Sequence, residues 1–224
     1  MLKLCRRQTS TTWWSNDARR RPSDLLPCRL VVPTRGNNLD FGRHSVEMKI
    51  GTLSLLFGVH QFIWHPITIV CAWRKCYRRW PKWWELVAIV CHDWGYWGCE
   101  NMDGEEGQRH PEGGAAITCD IVYGLSCGNA MLAYAAWRLS LYHSTHYAAT
   151  HEARVSDLYL PDKMSVLYDP KWFYLFRGWL SGEVDEYVNN APSGVSKNGR
   201  GYWYDWYRAK IVNKWLQYCL NSGR

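Results

Sequence analysis

The sequence lacks several features that would assign the chain to a common class of protein. None of its nine cysteines is spaced C-x-x-C from another, which argues against a zinc ribbon or a thioredoxin-like motif. No alternation of polar and apolar residues persists long enough for a β-sheet, and there is no internal repeat. The sequence therefore predicts an all-α fold, with free, partly buried thiols in a reducing cytosol.

A long uninterrupted apolar run is also missing. Segment 51–73 has the length of a membrane span, but it contains His60, Gln61, His65 and Pro66, which a spanning helix would bury in lipid. The segment is therefore predicted to form two core helices that separate near Pro66. Because no apolar stretch follows the first charged residues, we expect no secretory signal and a cytoplasmic protein without a membrane partner.

Most of the chain lacks a charge imbalance. The net charge is +7, but residues 1–45 hold nine basic and three acidic residues, which leaves 18 basic and 17 acidic residues for the rest. A core that binds nucleic acid is expected to carry a basic face of its own. The composition gives no strong signal for such a core.

The basic arm at 1–47 has no hydrophobic period and is interpreted as a disordered segment. Two other interpretations stay open. The arm resembles an Arg-rich organellar transit peptide in composition, and translation could instead start at Met48, where patterned sequence begins. Residues 48–224 are predicted to form one helical bundle with aromatic helices at its C-terminal end.

Aromatic residues are abundant, and proline and glycine divide the bundle into helices. Fifteen Trp and fourteen Tyr predict a core that contains large rings. Prolines start or stop helices, and glycine clusters mark the loops between them. The predicted helices are Pro66 to about Arg79, Lys82 to Cys91, Pro111 to Leu125, Gly128 to about Tyr147, 157–168 after an N-cap at Ser156, and Tyr202 to Leu220.

Most of the eight histidines lie beside helix ends or helix breakers in an apolar context. His65 and His110 each precede a proline, and His92-Asp93 ends an apolar helix. Imidazole and carboxylate together are the ligands of Fe, Mn, Zn and similar metals. Two adjacent ligands can serve one site, and a carboxylate can bridge two ions. The pattern therefore predicts a metal site.

The order of these residues resembles that of the HD-domain superfamily of metal-dependent phosphohydrolases. The stretch VCHDWGYWGCENMDGEEGQRHPEGGA is similar to the family's HD-x-G loop followed by a His-Pro-x-x-Gly-Ala helix start. YHSTHYA and then SDLYLPDKMS are similar to its later His and its final Asp helix. The resemblance covers roughly residues 50–170 and implies an HD-domain helical bundle that holds metal between its helices.

The resemblance also implies a ligand set of one or two divalent ions (Mn, Fe, Zn, Co or Mg). Members with two ions use three ligands for the first, two for the second, and a bridging Asp. Carried over to this chain, these are His65, His92 and Asp162, then His110 and His143, and Asp93 as the bridge. His146 lies three residues from His143 on a predicted helix and stays an alternative to it.

Several neighbours of the ligand set are further candidates. Lys163 follows Asp162 and Arg109 precedes His110, so both are candidate phosphate contacts. Trp94 and Trp97 replace residues that the family commonly shows after the His-Asp pair. Their rings and that of Tyr96 would either stack on a nucleobase or join the core.

The resemblance implies an enzyme that hydrolyses a phosphoester of a nucleotide or another small phosphorylated molecule with a metal-activated hydroxide. Asp93, Lys163 and Arg109 are its expected catalytic residues. Two alternatives from other classes stay open. An HD-type mixed-valent di-iron oxygenase uses the same six ligands and would differ by redox-active iron and a need for oxygen. A non-catalytic HD module would only bind a nucleotide or a partner.

Overall fold

The structure is a computed structural model that describes residues 49–222. The predictions for the arm at 1–47 and for a start at Met48 lie outside the described residues. Helices make up 73% of residues 49–222, and this range contains no strand, which confirms the all-α prediction. In the same range, no helix combines the length and the apolar character needed to cross a bilayer.

The helices are short and follow one another closely along the chain. Two further turns of 3-10 helix lie at Trp94–Tyr96 and Ser165–Tyr168. The α-helices are α1 (Ile50–Phe57), α2 (Trp64–Tyr77), α3 (Trp83–Cys91), α4 (Glu105–Gln108), α5 (His110–Leu125), α6 (Ala130–Leu141), α7 (Thr145–Thr150), α8 (Tyr159–Met164), α9 (Lys171–Ser181), α10 (Glu183–Asn189), α11 (Ser193–Ser196) and α12 (Gly199–Ser222).

Local signals explain how α2 ends and how α3 begins. Helix α2 contains Pro66 within its first turn, where a missing N–H costs nothing, and it ends where Arg78 adopts a left-handed conformation with φ 53°. Helix α3 begins after Lys82, whose backbone N–H donates to the Glu85 carboxylate at 2.6 Å. Arg79 donates to both oxygens of the same carboxylate, at 2.6 and 2.7 Å. These contacts fix the corner between the two helices.

The segment that was predicted as one helix from Gly128 to about Tyr147 is two helices. It breaks after Leu141, and Ser144 begins α7 by accepting a hydrogen bond from the backbone N–H of Tyr147. A serine hydroxyl at this position accepts a hydrogen bond from one of the free N–H groups in the first turn of a helix and so stabilises the helix start. The break places His143 between the two helices rather than on a continuous helix face.

Aromatic rings are divided between the core and the surface. Tyr174 from α9 packs against Trp203 and Tyr204 of α12 in the largest buried cluster, and Trp203 stacks on Tyr207 with 5.3 Å between ring centroids. Trp97, by contrast, is 63% exposed. The expectation of an aromatic core therefore holds for the C-terminal helices and not for every tryptophan.

The cysteines of the described part differ in environment. Free thiols occur at Cys71, Cys91, Cys99, Cys127 and Cys219. Cys119 is completely buried. Burial raises the pKa of the Cys91 thiol to about 11, which keeps it protonated and unreactive at neutral pH.

Candidate metal centre

The packing of the helices brings all six predicted ligands together. Helix α5 packs against α3, α6 and the 3-10 turn Trp94–Tyr96, and α2 packs against α8. Each ligand lies at a helix end or in a first turn, and each is at most 6% exposed. They are His65 in α2, His92 and Asp93 directly after α3, His110 at the start of α5, His143 between α6 and α7, and Asp162 in α8.

Four of these side chains form a first group. The Nε2 atom of His65 lies 3.2 Å from Asp93 Oδ2 and 3.2 Å from Asp162 Oδ1. The Nε2 atom of His92 lies 3.1 Å from the same oxygen of Asp93. One ligand atom from each of the four residues lies within 4.8 Å of the others, a spacing that could hold one metal ion.

Asp93 is shared with a second group. Its other oxygen, Oδ1, lies 3.6 Å from His110 Nε2 and 3.6 Å from His143 Nε2. The two histidine Nε2 atoms are 3.1 Å apart, and the three ligand atoms also lie within 4.8 Å of one another. A carboxylate that offers one oxygen to each group has the geometry of a bridging ligand.

Hydrogen bonds to the backbone aim three of the imidazoles. Nδ1 lies 2.9 Å from the Ile89 carbonyl in His92, 2.6 Å from the Gly107 carbonyl in His110, and 2.5 Å from the Ser140 carbonyl in His143. Because a carbonyl only accepts, Nδ1 is the donor in all three rings, and Nε2 is the ring nitrogen that faces the cluster. This is the tautomer and orientation that metal-binding histidines have in proteins.

Unpaired buried atoms show that the group fits a cation. His65 Nε2, His92 Nε2 and Asp93 Oδ2 are buried and have no hydrogen-bond partner among the described residues. Leaving one such atom unpaired costs about 1–3 kcal/mol. The lone pairs of His110 and His143 also face each other across 3.1 Å, which is unfavourable unless a cation or a proton lies between them. Divalent ions would satisfy all of these atoms at once.

The electrostatics of the site support the same assignment. Burial alone would raise the pKa of both carboxyls, but His92 holds the pKa of Asp93, and Lys163 that of Asp162, well below the ordinary value. Burial lowers the pKa of His110 and of His143, so these imidazoles are neutral. Both carboxylates and both imidazoles are therefore in the form that coordinates metal.

His92 differs from the other histidines of the cluster. Burial would lower its pKa, but the charges of Asp93 and Asp162 outweigh burial and raise the pKa to about 10. A proton on this ring occupies the place that a cation would take. Metal binding at this position therefore releases a proton.

Two glycines allow the backbone of α5 to approach the His-Asp pair. A Cβ at Gly114 would lie 1.9 Å from the His92 carbonyl oxygen, and a Cβ at Gly95 would lie 1.9 Å from the His110 carbonyl oxygen. Any side chain at either position would separate α5 from the loop after α3. These glycines belong to the HD-x-G and His-Pro-x-x-Gly-Ala stretches, so the close approach gives those patterns a physical reason.

The remaining predicted site residues differ in position. Lys163 Nζ lies 3.0 Å from Asp162 Oδ2, and its side chain is one-third exposed. Arg109 lies outside the buried cluster, is exposed, and pairs with Glu112 at 3.2 Å. His146 is exposed and lines a surface groove with Arg109, whereas His143 lies in the cluster.

Sequence reasoning missed two residues beside the cluster, His60 and Glu183, and it named Tyr96 only as a ring for stacking or for the core. Tyr96 stacks on the His110 ring, with centroids 3.8 Å apart and planes at 16°. His60 packs against His65 and hydrogen bonds with Glu183. Nothing in the local sequence pointed to Glu183, which is far away along the chain.

Comparison of the chain with models of protein families, with curated proteins and with solved structures gave no match. Membership of the HD-domain superfamily therefore stays a prediction that rests on the motif residues. Independently of any family, the chain has a helical fold and a buried His/Asp cluster that is compatible with a metal site.

Proposed function

We propose that the protein is a metal-dependent phosphohydrolase of the HD-domain type, which cleaves a phosphoester of a nucleotide or another small phosphorylated molecule. The observation that carries the proposal is the shared carboxylate of Asp93, which offers one oxygen to each of two histidine groups. Pairs of divalent ions about 3.5–4 Å apart are the centres of many phosphatases and nucleases. A bridging carboxylate between two imidazole pairs suits such a pair.

The charge of the ligand set favours an anionic substrate. Bound divalent ions would supply Lewis acidity to a phosphoryl oxygen and would lower the pKa of a water molecule. The six ligands include only two carboxylates, so the charge of two ions stays partly uncompensated and attracts a phosphoryl group. Lys163 adds a positive charge at the edge, because its ammonium group contacts Asp162 while a third of its side chain stays exposed.

The burial of the cluster favours a small reacting group. Since each ligand is at most 6% exposed, only a compact group such as phosphoryl can reach the ligand atoms. The ring of Trp94 follows Asp93 directly and is 36% exposed, which leaves a face for a nucleobase or another ring. A nucleotide combines both features.

The test begins with the metal content of the purified protein, measured by elemental analysis without added metal. Protein loaded with Mn²⁺ is then incubated with a panel of nucleotides and sugar phosphates, and released phosphate is measured. We expect phosphate release that Asp93→Ala abolishes. Asp120→Ala, which removes an exposed carboxylate of α5, is the matched control and should retain full activity.

The same measurements separate the alternatives. Two equivalents of iron, with turnover that requires oxygen and releases no phosphate, would replace the proposal by the di-iron oxygenase. If the protein contains no metal and takes none up, the non-catalytic binding module would be the remaining alternative. Full metal content and full turnover in Asp93→Ala would refute the assigned bridge.

A further inference from the structure

The carboxylate of Glu183 is buried beside the candidate metal centre and is not one of the six proposed ligands. Glu183, the first residue of α10, is completely buried. Its Oε1 accepts hydrogen bonds from the backbone N–H of Val59 and from Ser181 Oγ, the latter at 3.0 Å. Its Oε2 accepts from Ser54 Oγ and lies 2.9 Å from His60 Nδ1. A carboxylate buried this completely requires hydrogen-bond donors on all sides, and the His60 ring is one of them.

The chain around this carboxylate is built to approach it. A Cβ at Gly58 would lie 2.5 Å from Glu183 Oε1 and 2.7 Å from Ser181 Oγ. Only glycine therefore lets the connection between α1 and α2 lie against the carboxylate. This connection also carries His60 and leads directly into the turn that holds His65.

The other side of the His60 ring contacts the metal centre. Its centroid lies 5.2 Å from that of His65, edge to face, and 5.5 Å from that of Tyr96. Tyr96 in turn stacks on His110. His60 thus touches a ligand of the first group directly and a ligand of the second group through one ring. Its side chain is 15% exposed, whereas those of the six ligands are at most 7% exposed, so His60 lies at the rim of the cluster.

We propose that His60 is a further catalytic residue, which contacts the phosphoryl group of the substrate at this rim, and that Glu183 is the positioning residue that fixes its ring. The inference rests on the proposed function. Because Nδ1 donates to Glu183, Nε2 points away from that carboxylate, and no described residue hydrogen bonds with Nε2. A hydrogen bond between Nε2 and a phosphoryl oxygen needs a single proton, which either partner can carry.

Inorganic phosphate is the probe for this contact. Its Kd is measured by calorimetry on protein loaded with Co²⁺, whose absorption spectrum and stoichiometry report the ligands directly. His60→Phe keeps a ring between His65 and Tyr96 but loses both nitrogens. We expect an unchanged Co²⁺ spectrum and stoichiometry, and a phosphate Kd that rises by about tenfold or more. The control His146→Phe removes an exposed histidine and should leave this Kd unchanged.

Two further variants separate contact from support. His60→Gln places an amide nitrogen near the position of Nε2 and should restore most of the phosphate affinity, whereas His60→Asn should not. Glu183→Gln should weaken phosphate binding in the wild-type background and have no further effect when His60 is Phe, because it acts through that ring. If His60→Phe does not fold, the phosphate Kd values of His60→Gln and His60→Asn are compared instead, and equal values would overturn the role of His60.

The possible outcomes distinguish this inference from the proposed function. A wild-type protein that binds no metal overturns both. Metal-loaded His60→Phe with wild-type phosphate affinity overturns only the role of His60. Loss of Co²⁺ in both His60→Phe and His60→Gln also overturns it, since His60 would then only support the metal ligands.

Discussion

The sharing of Asp93 between two ligand groups makes a quantitative prediction about metal stoichiometry. Because its two oxygens face different histidines, Asp93→Ala should remove both ions. His143 belongs to the second group alone, so His143→Ala should remove only one ion. An ion present at a hundredfold its Kd stabilises the folded state by about 2.7 kcal/mol. For a domain of this size, 1 kcal/mol raises Tm by about 2–4 °C, so each ion should raise Tm by about 5–11 °C.

The assay is thermal unfolding in EDTA and in Mn²⁺, with elemental analysis after dialysis. For the wild type we expect two equivalents of Mn²⁺ and the full rise in Tm. For His143→Ala we expect one equivalent and about half that rise, and for Asp93→Ala we expect no bound Mn²⁺ and no rise. The melting temperature in EDTA shows that each variant is folded. Asp120→Ala is the control for loss of a carboxylate and should behave as the wild type.

Two results would refute this reasoning. One is Asp93→Ala that keeps both equivalents and the metal-dependent shift, because Asp93 would then bind neither ion. The other is His143→Ala that loses both ions as completely as Asp93→Ala. The two groups would then form a single site, and the bridging role of Asp93 would be wrong.

Three further predictions concern packing, a buried ion pair and a thiol. Gly114→Ala should lower both Mn²⁺ occupancy and the free energy of unfolding, the latter by about 1–3 kcal/mol, because its Cβ meets a backbone oxygen of the His-Asp pair. Gly124→Ala on the same helix meets nothing within 4 Å and should be neutral or slightly stabilising; equal effects would contradict the close approach. Arg177→Met should cost about 3–5 kcal/mol in urea unfolding, because it leaves the Asp169 carboxylate buried, and adding Asp169→Asn should recover part of the loss; a loss under 1 kcal/mol would speak against a buried pair. Iodoacetamide at pH 8 should modify Cys91 only after unfolding, since its pKa is about 11, and mass spectrometry of the native protein would reveal the opposite.

Proline and glycine made much of the helical pattern predictable. The ends of α2 and the starts of α3 and α5 lie within about two residues of the predicted positions, because proline acts on the backbone of its own turn. The prediction failed at the break after Leu141, where alanine-rich sequence indicated one helix and the hydroxyl of Ser144 begins a new one. That break is also what separates His143 from His146. On a continuous helix the two would share a face, and nothing in the sequence could choose between them.

Helix periodicity, a local property, determined the all-α class by itself, and the resemblance of the motif residues to the HD-domain superfamily implied the six candidate ligands. Only the tertiary structure decided which atoms meet. It brought the six ligands within reach of one another, turned Asp93 so that each oxygen faces a different histidine group, and placed Arg109 on the surface. It also joined His60 to Glu183, a pair 123 residues apart. Contacts between helices depend on packing over long sequence separations, and no local pattern of residues encodes such a pair.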